Sequence, residues 1–88
     1  MLGLGRAMAR EFGIDGIRVN AVTPGLIATD INKGLIPDDK MKTILEGIPL
    51  NRIGEPNDVA GCLVFLASDL AKYLTGVTLD VNGGMLIH

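Results

Sequence analysis

The sequence predicts an α/β fold built on a parallel sheet, and three features predict it. Residues 17–22 and 77–81 are short runs rich in β-branched side chains, the composition of strands. Between them, residues 56–67 carry apolar side chains at helical spacing, over a length that serves as a crossover. A strand, a crossover helix and a second strand imply a parallel pair joined right-handedly. The third feature is Thr23-Pro24-Gly25, which ends the first strand. Pro24 has no N–H to give a sheet, and Gly25 adopts backbone angles that other residues avoid. A buried strand that stops in this way leaves polar atoms at its carboxyl end, where open α/β sheets bind ligands.

Residues 1–12 predict a helix. Leu4, Met8 and Phe12 share one face, and Arg6 and Arg10 share another. This helix begins at Met1 without a cap, already inside its apolar periodicity, as in a chain cut into mid-element. Gly13 is its expected stop, with positive φ available to it. Ile14-Asp15-Gly16 then turns the chain into the strand at 17–22. After Asp30 the chain is irregular, with Gly34 and Pro37. Asp38 is the expected N-cap of a short helix to Glu46, with Met41, Ile44, Leu45 and Ile48 as its apolar side and Gly47 and Pro49 as its end. An amphipathic insertion between breakers suits a mobile lid. The same spacing suits a helix that merely packs on the core.

Pro56 takes the first position of the crossover helix, and Asp58 places negative charge near its amino end. Val59, Cys62, Leu63 and Leu66 form its expected buried stripe. Gly61 costs about 1 kcal/mol against alanine inside a helix, so a close backbone neighbour is expected there. The element order is therefore helix, strand, short helix, helix, strand.

At 88 residues the chain makes one small domain at most. Its apolar fraction is 48% before 12 glycines are added, against about 45–50% with glycine included in a typical domain. Small domains have much surface and should be more polar than average, so some apolar surface here is meant to face another partner. Net charge is −2, from 8 basic and 10 acidic residues well interleaved. Without a basic patch, nucleic acid and anionic membrane are not expected partners. No apolar run reaches spanning length, no signal peptide is visible, and the single cysteine, Cys62, makes no internal disulfide. A cytoplasmic chain fits these features.

Several stretches carry a pattern. Arg18-Val19-Asn20-Ala21-Val22-Thr23-Pro24-Gly25 is followed in register by Leu26-Ile27-Ala28-Thr29. Gly54-Glu55-Pro56-Asn57-Asp58-Val59-Ala60 opens the crossover helix and Phe65-Leu66-Ala67-Ser68-Asp69 closes it. Thr75-Gly76 precedes Asp80-Val81-Asn82-Gly83-Gly84. In that order and spacing the set resembles the short-chain dehydrogenase/reductases, over nearly the whole chain. Within that family it is most similar to 3-oxoacyl-[acyl-carrier-protein] reductase-like members.

The resemblance implies a partial Rossmann fold, a doubly wound parallel sheet of which this chain holds the last two strands, two long helices and a short lid helix. Residues 1–88 would be the C-terminal third of one NAD(P)-binding domain, with 30–50 as a substrate lid within it. Pro24, Gly25, Ile27 and Thr29 would bind the nicotinamide end of NAD(P), with NADP slightly preferred. The Thr29 hydroxyl and the peptide groups around Ile27 complement a carboxamide, and the Ile27 side chain packs on the ring. The implied activity is reduction of a carbonyl, of 3-oxoacyl thioester type, as in fatty acid biosynthesis, within a homotetramer.

Other signals are bland. Gly3-Leu4-Gly5 lacks the preceding strand and third glycine of a phosphate loop, so close helix packing is expected of these glycines. Tyr73 is four residues from Val77 rather than a lysine, so it is not the family's catalytic tyrosine and reads as a packing or interface residue. Cys62 reads as a small buried hydrophobe, Asp38 and Asp39 as helix-end solvation, and His88 as a lone histidine with no metal cluster. No catalytic residue is assigned to the chain. In the family the serine, tyrosine and lysine and the glycine-rich loop lie upstream of the first helix. The expectation is thus the carboxy-terminal piece of a reductase, inactive alone. The alternative is a non-catalytic interaction module that docks on a full-length relative.

Overall fold

A computed structural model describes residues 3–28, 34 and 36–85. Its elements are α1 (Gly3–Phe12), β1 (Ala21–Pro24), α2 (Asp38–Glu46), α3 (Pro56–Ala67) and β2 (Thr78–Val81), with 3₁₀ turns at Gly13–Asp15 and Asp69–Ala71. The two strands pair in parallel, Ala21 with Thr78 through Pro24 with Val81. The α/β order and the parallel pair are those the sequence predicts, and a sheet of this kind flanked by helices is part of a Rossmann fold.

The first strand lies further along than the sequence suggests. Residues 17–20 are not strand, and Pro24 belongs to it. Both shifts have local causes. Ala21 donates its N–H to Val77 O (2.9 Å) and Gly25 to Val81 O (2.8 Å). With that alternation the position of Pro24 faces away from β2, so its missing donor costs the ladder nothing. Upstream, Gly76 sits at φ +71°, which β geometry does not allow, so a regular ladder cannot reach Thr75. Side chains bridge the gap instead. Asn20 accepts the Val77 N–H through Oδ1 (3.0 Å) and donates from Nδ2 to Leu74 O (3.0 Å). Val19 donates to Thr75 Oγ1 (3.1 Å) and accepts the Gly76 N–H (2.8 Å).

α1 packs through its small residues rather than its large ones. Ala9 is buried, and a Cβ on Gly76 would lie 3.7 Å from the Ala9 Cβ. Leu4 and Met8 are on the outer side, Leu4 with 75% of its surface exposed. Open space surrounds the Cβ position of Gly3, against the close packing expected there. The left-handed residue that turns the chain after α1 is Gly16 (φ +75°), because a 3₁₀ turn first extends the helix through Gly13. Met1 and Leu2, at the expected start of this helix, lie outside the described residues.

α2 has the predicted extent, but Pro37 is its N-cap. Met41 donates to Pro37 O (2.8 Å), which places Asp38 and Asp39 inside the first turn, where their charge favours the helix amino end. α3 begins with Pro56, as predicted. It packs on both strands through Leu66, with Val59 and Cys62 half-buried, whereas Leu63 of the expected stripe is exposed. A Cβ on Gly61 would meet open space, so the close neighbour expected there is absent among the described residues. Tyr73, at 98% exposure, packs on nothing among the described residues.

The buried apolar residues among those described are Ala9, Ile48, Leu66 and Ala71. The radius of gyration is 15.8 Å, against about 12 Å for a compact domain of this length. Such a chain has too little interior for its apolar content. In isolation the 88 residues should self-associate or form a loose state that binds a hydrophobic dye. Sedimentation and dye fluorescence check this, and a monomer with cooperative unfolding and dispersed amide signals would refute it.

Candidate functional site

The carboxyl ends of β1 and β2 are closed by main-chain contacts that leave almost no room for side chains. After Pro24, Gly25 continues the ladder to Val81. A Cβ on Gly25 would stand 2.8 Å from Asn82 Cβ and 2.9 Å from its Cα, a clash that something must move to relieve. The chain then runs beside the loop that opens α3. Gly54 donates to Leu26 O (3.0 Å), Ala28 donates to Gly54 O (2.8 Å), and Ile27 pairs with Gly54 in a parallel bridge. Here too a side chain is excluded, because a Cβ on Gly54 would lie 2.6 Å from Ile27 Cδ1. In this pairing Leu26 and Ala28 turn their peptide groups toward Gly54, and Ile27 turns its own to the opposite side.

Of the four predicted cofactor residues, the structure places Pro24 and Gly25 at the strand end, exposed, and Ile27 three residues on from Pro24, half-buried. The Ile27 side chain lies over Gly54 and borders an apolar cavity of about 80 Å³ with Leu26, Ile36, Met41 and Ile53. The cavity brings the end of β1 next to α2, the helix of the predicted lid. Thr29 lies outside the described residues, as do Asp30 and residues 31–33 of the predicted lid, and His88.

β2 ends in a turn in which Asn82 Oδ1 accepts the Gly84 N–H (2.9 Å), and Leu50 donates to Gly83 O (3.0 Å). A second cavity, of about 170 Å³, lies beside this turn, lined by Leu50, Arg52, Gly54, Asp58, Val81 and Asn82. Sequence reasoning missed its charged pair. Arg52 grips Asp58 with both nitrogens, Nη1 to Oδ2 at 2.8 Å and Nη2 to Oδ1 at 3.1 Å. Asp58 Oδ2 also accepts the Glu55 N–H (2.7 Å) at the start of α3. The signal was the arginine two residues before the Gly-Glu-Pro stretch, which was read only as a helix start.

Hydrogen bonding from Arg52, and then from the Glu55 N–H, holds the Asp58 carboxyl down at about 2, and the same pairing pushes the Arg52 guanidinium up. Thr23 on β1 donates its hydroxyl to Asp80 on β2, on the exposed side of the sheet. Among the described residues no three His, Cys, Asp or Glu side chains are grouped to hold a metal ion. No helix of those residues is long and apolar enough to cross a membrane.

The sign of the Asp58 effect follows from its depressed carboxyl. The stability it contributes is fully present above the ordinary carboxylate value near 4 and is lost as pH falls through about 2. A titration of side-chain carboxyl carbon shifts should give Asp58 a midpoint near 2. Arg52→Gln should move that midpoint up toward the ordinary value. An Asp58 midpoint near 4 in the parent protein would show that the pair does not persist in solution.

Comparison with known proteins agrees with the geometry. A family model described as enoyl-(acyl carrier protein) reductase matches residues 1–86. An uncharacterized short-chain type dehydrogenase/reductase of Sinorhizobium fredii is 59% identical over all of this chain and 35% of its own length. An L-rhamnose 1-dehydrogenase (NAD(P)(+)) of Azotobacter vinelandii is 49% identical, again over the whole chain and 35% of its own length. A 3-oxoacyl-[acyl-carrier-protein] reductase of Staphylococcus epidermidis is 52% identical over 97% of this chain and 34% of its own. The chain spans about a third of the length of these relatives. By that match and by its fold, the chain belongs to the short-chain dehydrogenase/reductases, a family of NAD(P)-dependent oxidoreductases.

Proposed function

We propose that these residues form the nicotinamide side of an NAD(P) site, and part of the cover of a substrate site, in an enzyme that reduces a carbonyl to a hydroxyl. The observation that supports this most directly is the placement of residues 25–28 at the carboxyl ends of a parallel pair, pinned by Val81 on one strand and by Gly54 before α3. The donor set fits the ligand. A carboxamide offers N–H donors and one carbonyl acceptor, and the peptide groups around Ile27 with the Thr29 hydroxyl complement them. Pro24 and Gly25 set the turn that brings this stretch to the strand ends. When bound, NAD(P) supplies the hydride. The role of this chain is to orient the ring and to exclude water, with residues 30–50 covering the substrate beside the apolar cavity at Met41. The preference for NADP over NAD, a 3-oxoacyl thioester as substrate, a place in fatty acid biosynthesis and a cytoplasmic location are parts of the proposal that rest on the resemblance.

Assembly into a homotetramer belongs to the same reading, and the outward Leu4 and Met8 of α1 supply an apolar surface for it. That surface also favours a second reading, a non-catalytic module docked on a full-length relative. A chimera separates the two. These 88 residues replace the matching third of the Staphylococcus epidermidis reductase, and NADPH oxidation with a 3-oxoacyl thioester is measured. Activity supports the enzymatic reading, and a folded but inactive chimera supports the module.

Within that chimera Thr29→Val keeps the side-chain shape and removes one neutral hydrogen bond. Such a bond contributes about 0.5–1.5 kcal/mol, so cofactor affinity, or kcat if the bond mainly aligns the ring, should fall roughly two- to thirteenfold. Thermal stability without cofactor should be nearly unchanged. Thr43→Val, exposed on α2, should leave cofactor affinity alone. Equal cofactor titrations and kinetics for parent, Thr29→Val and Thr43→Val would remove Thr29 from the site.

A further inference from the structure

We propose that Asp58 is a positioning residue for the cofactor segment, acting through Gly54 without touching the ligand. The inference rests on the reading of residues 24–29 given above. Gly54 carries the two hydrogen bonds that align Leu26–Ala28, yet a glycine has the softest backbone of any residue and does not hold a direction by itself. Its direction is fixed from both sides by a single carboxylate. Asp58 grips Arg52, two residues before Gly54, through a two-bond fork, and takes the N–H of Glu55, the residue just after. Arg52 Nη1 also donates to Ile53 O at 3.4 Å, on the immediate amino side of Gly54. The carboxylate itself lies beside the glycine, since a Cβ there would be 3.7 Å from Asp58 Oδ2.

The clamp therefore spans Arg52 to Glu55 with Gly54 at its middle. A planar guanidinium held by two parallel bonds is fixed in orientation as well as distance, which a single bond does not achieve. The start of α3, a helix that packs on both strands, serves as the anchor. Movement at Asp58 is thus carried along a short path of covalent and hydrogen bonds to Ala28, the residue before Thr29. A reacting ring misplaced by about 1 Å loses on the order of a hundredfold in rate, so a clamp on this path bears on hydride transfer even though it lies behind the site.

The test uses the chimera, with Asp58→Ala to remove the clamp and Arg52→Gln to remove the fork while the bond from Glu55 to Asp58 stays. Residue-resolved amide exchange is read at Ala28 and Gly54, which donate across the bridge, and at Gly25, which donates to β2 and serves as the reference. Exchange at Ala28 and Gly54 should quicken about tenfold, the effect of one charge-assisted bond, with Gly25 unchanged. NADPH affinity should weaken in both variants, and the double variant should be no worse than the worse single one. Equal quickening at all three amides marks a general loss of stability and overturns the proposal, as does no change at Ala28 and Gly54. If Thr29→Val weakens cofactor binding while the Asp58 and Arg52 variants alter neither exchange nor affinity, the positioning role falls and the cofactor site stands. If exchange quickens as expected but neither these variants nor Thr29→Val changes affinity, the coupling stands and the cofactor reading falls.

Discussion

The fold depends on the carboxamide of Asn20. It accepts the N–H of Val77 and donates to the C=O of Leu74, so one side chain satisfies two main-chain groups of a segment more than fifty residues away. The ladder that follows is only four pairs long. Closing so long a loop costs chain entropy before any pair of strands returns it. A short ladder alone is a weak return, and the Asn20 contacts, with Val19 on Thr75 and Gly76, tie two further positions to the partner segment. Loss of the side chain would leave the half-buried Val77 N–H unpaired and Leu74 O with Arg18 alone, which costs more than the bond contributes when made. Asparagine suits the place because it offers a donor and an acceptor in one plane, which aspartate and leucine of similar size do not.

Much of this was legible in the sequence. α2 and α3 fall where their periodicity and breakers put them, and the parallel pair follows from strand, helix and strand. The errors share a cause. Positions 17–20 look like strand because β-branched residues prefer extended backbone; what denies them a ladder is the left-handed Gly76 on the partner, which no local reading of residues 17–20 contains. Leu4 and Met8 do share one face of α1, as their helical spacing says, and that face is exposed. The spacing is real, but periodicity cannot say whether a stripe faces this chain or another, and here the small face with Ala9 turns inward. Gly61 is the reverse case, a glycine with no neighbour where one was expected.

At the candidate site the same limit appears in a different form. The strand end at Pro24 and Gly25 was legible because the Pro-Gly turn is a local signal. The pairing of Ile27 with Gly54, and of Arg52 with Asp58, was not, since each joins residues that only folding brings together. The motif strings contained all of these residues except Arg52, which stands just before one of them. What the strings lacked was the contacts between them, and those contacts explain why glycine stands at 25 and at 54, where a Cβ would meet Asn82 and Ile27.

The two ends of the sheet are closed by different means, and the difference bears on which side chains the fold itself requires. At the amino end the closure uses side chains, Asn20, Thr75 and Arg18 reaching for main-chain groups at 74–77 and at Val19. Those identities are therefore fixed by the fold. At the carboxyl end the closure uses main-chain bonds and missing side chains, Gly25 against Asn82 and Gly54 against Leu26 and Ala28. A main-chain closure holds the segment still while leaving the side chains beside it to answer to the ligand. Relatives named as an L-rhamnose 1-dehydrogenase and as a 3-oxoacyl reductase match the chain as a whole almost equally well, at 49% and 52% identity. Identity over this chain therefore does not separate relatives named for different reactions, because a shared frame accounts for it.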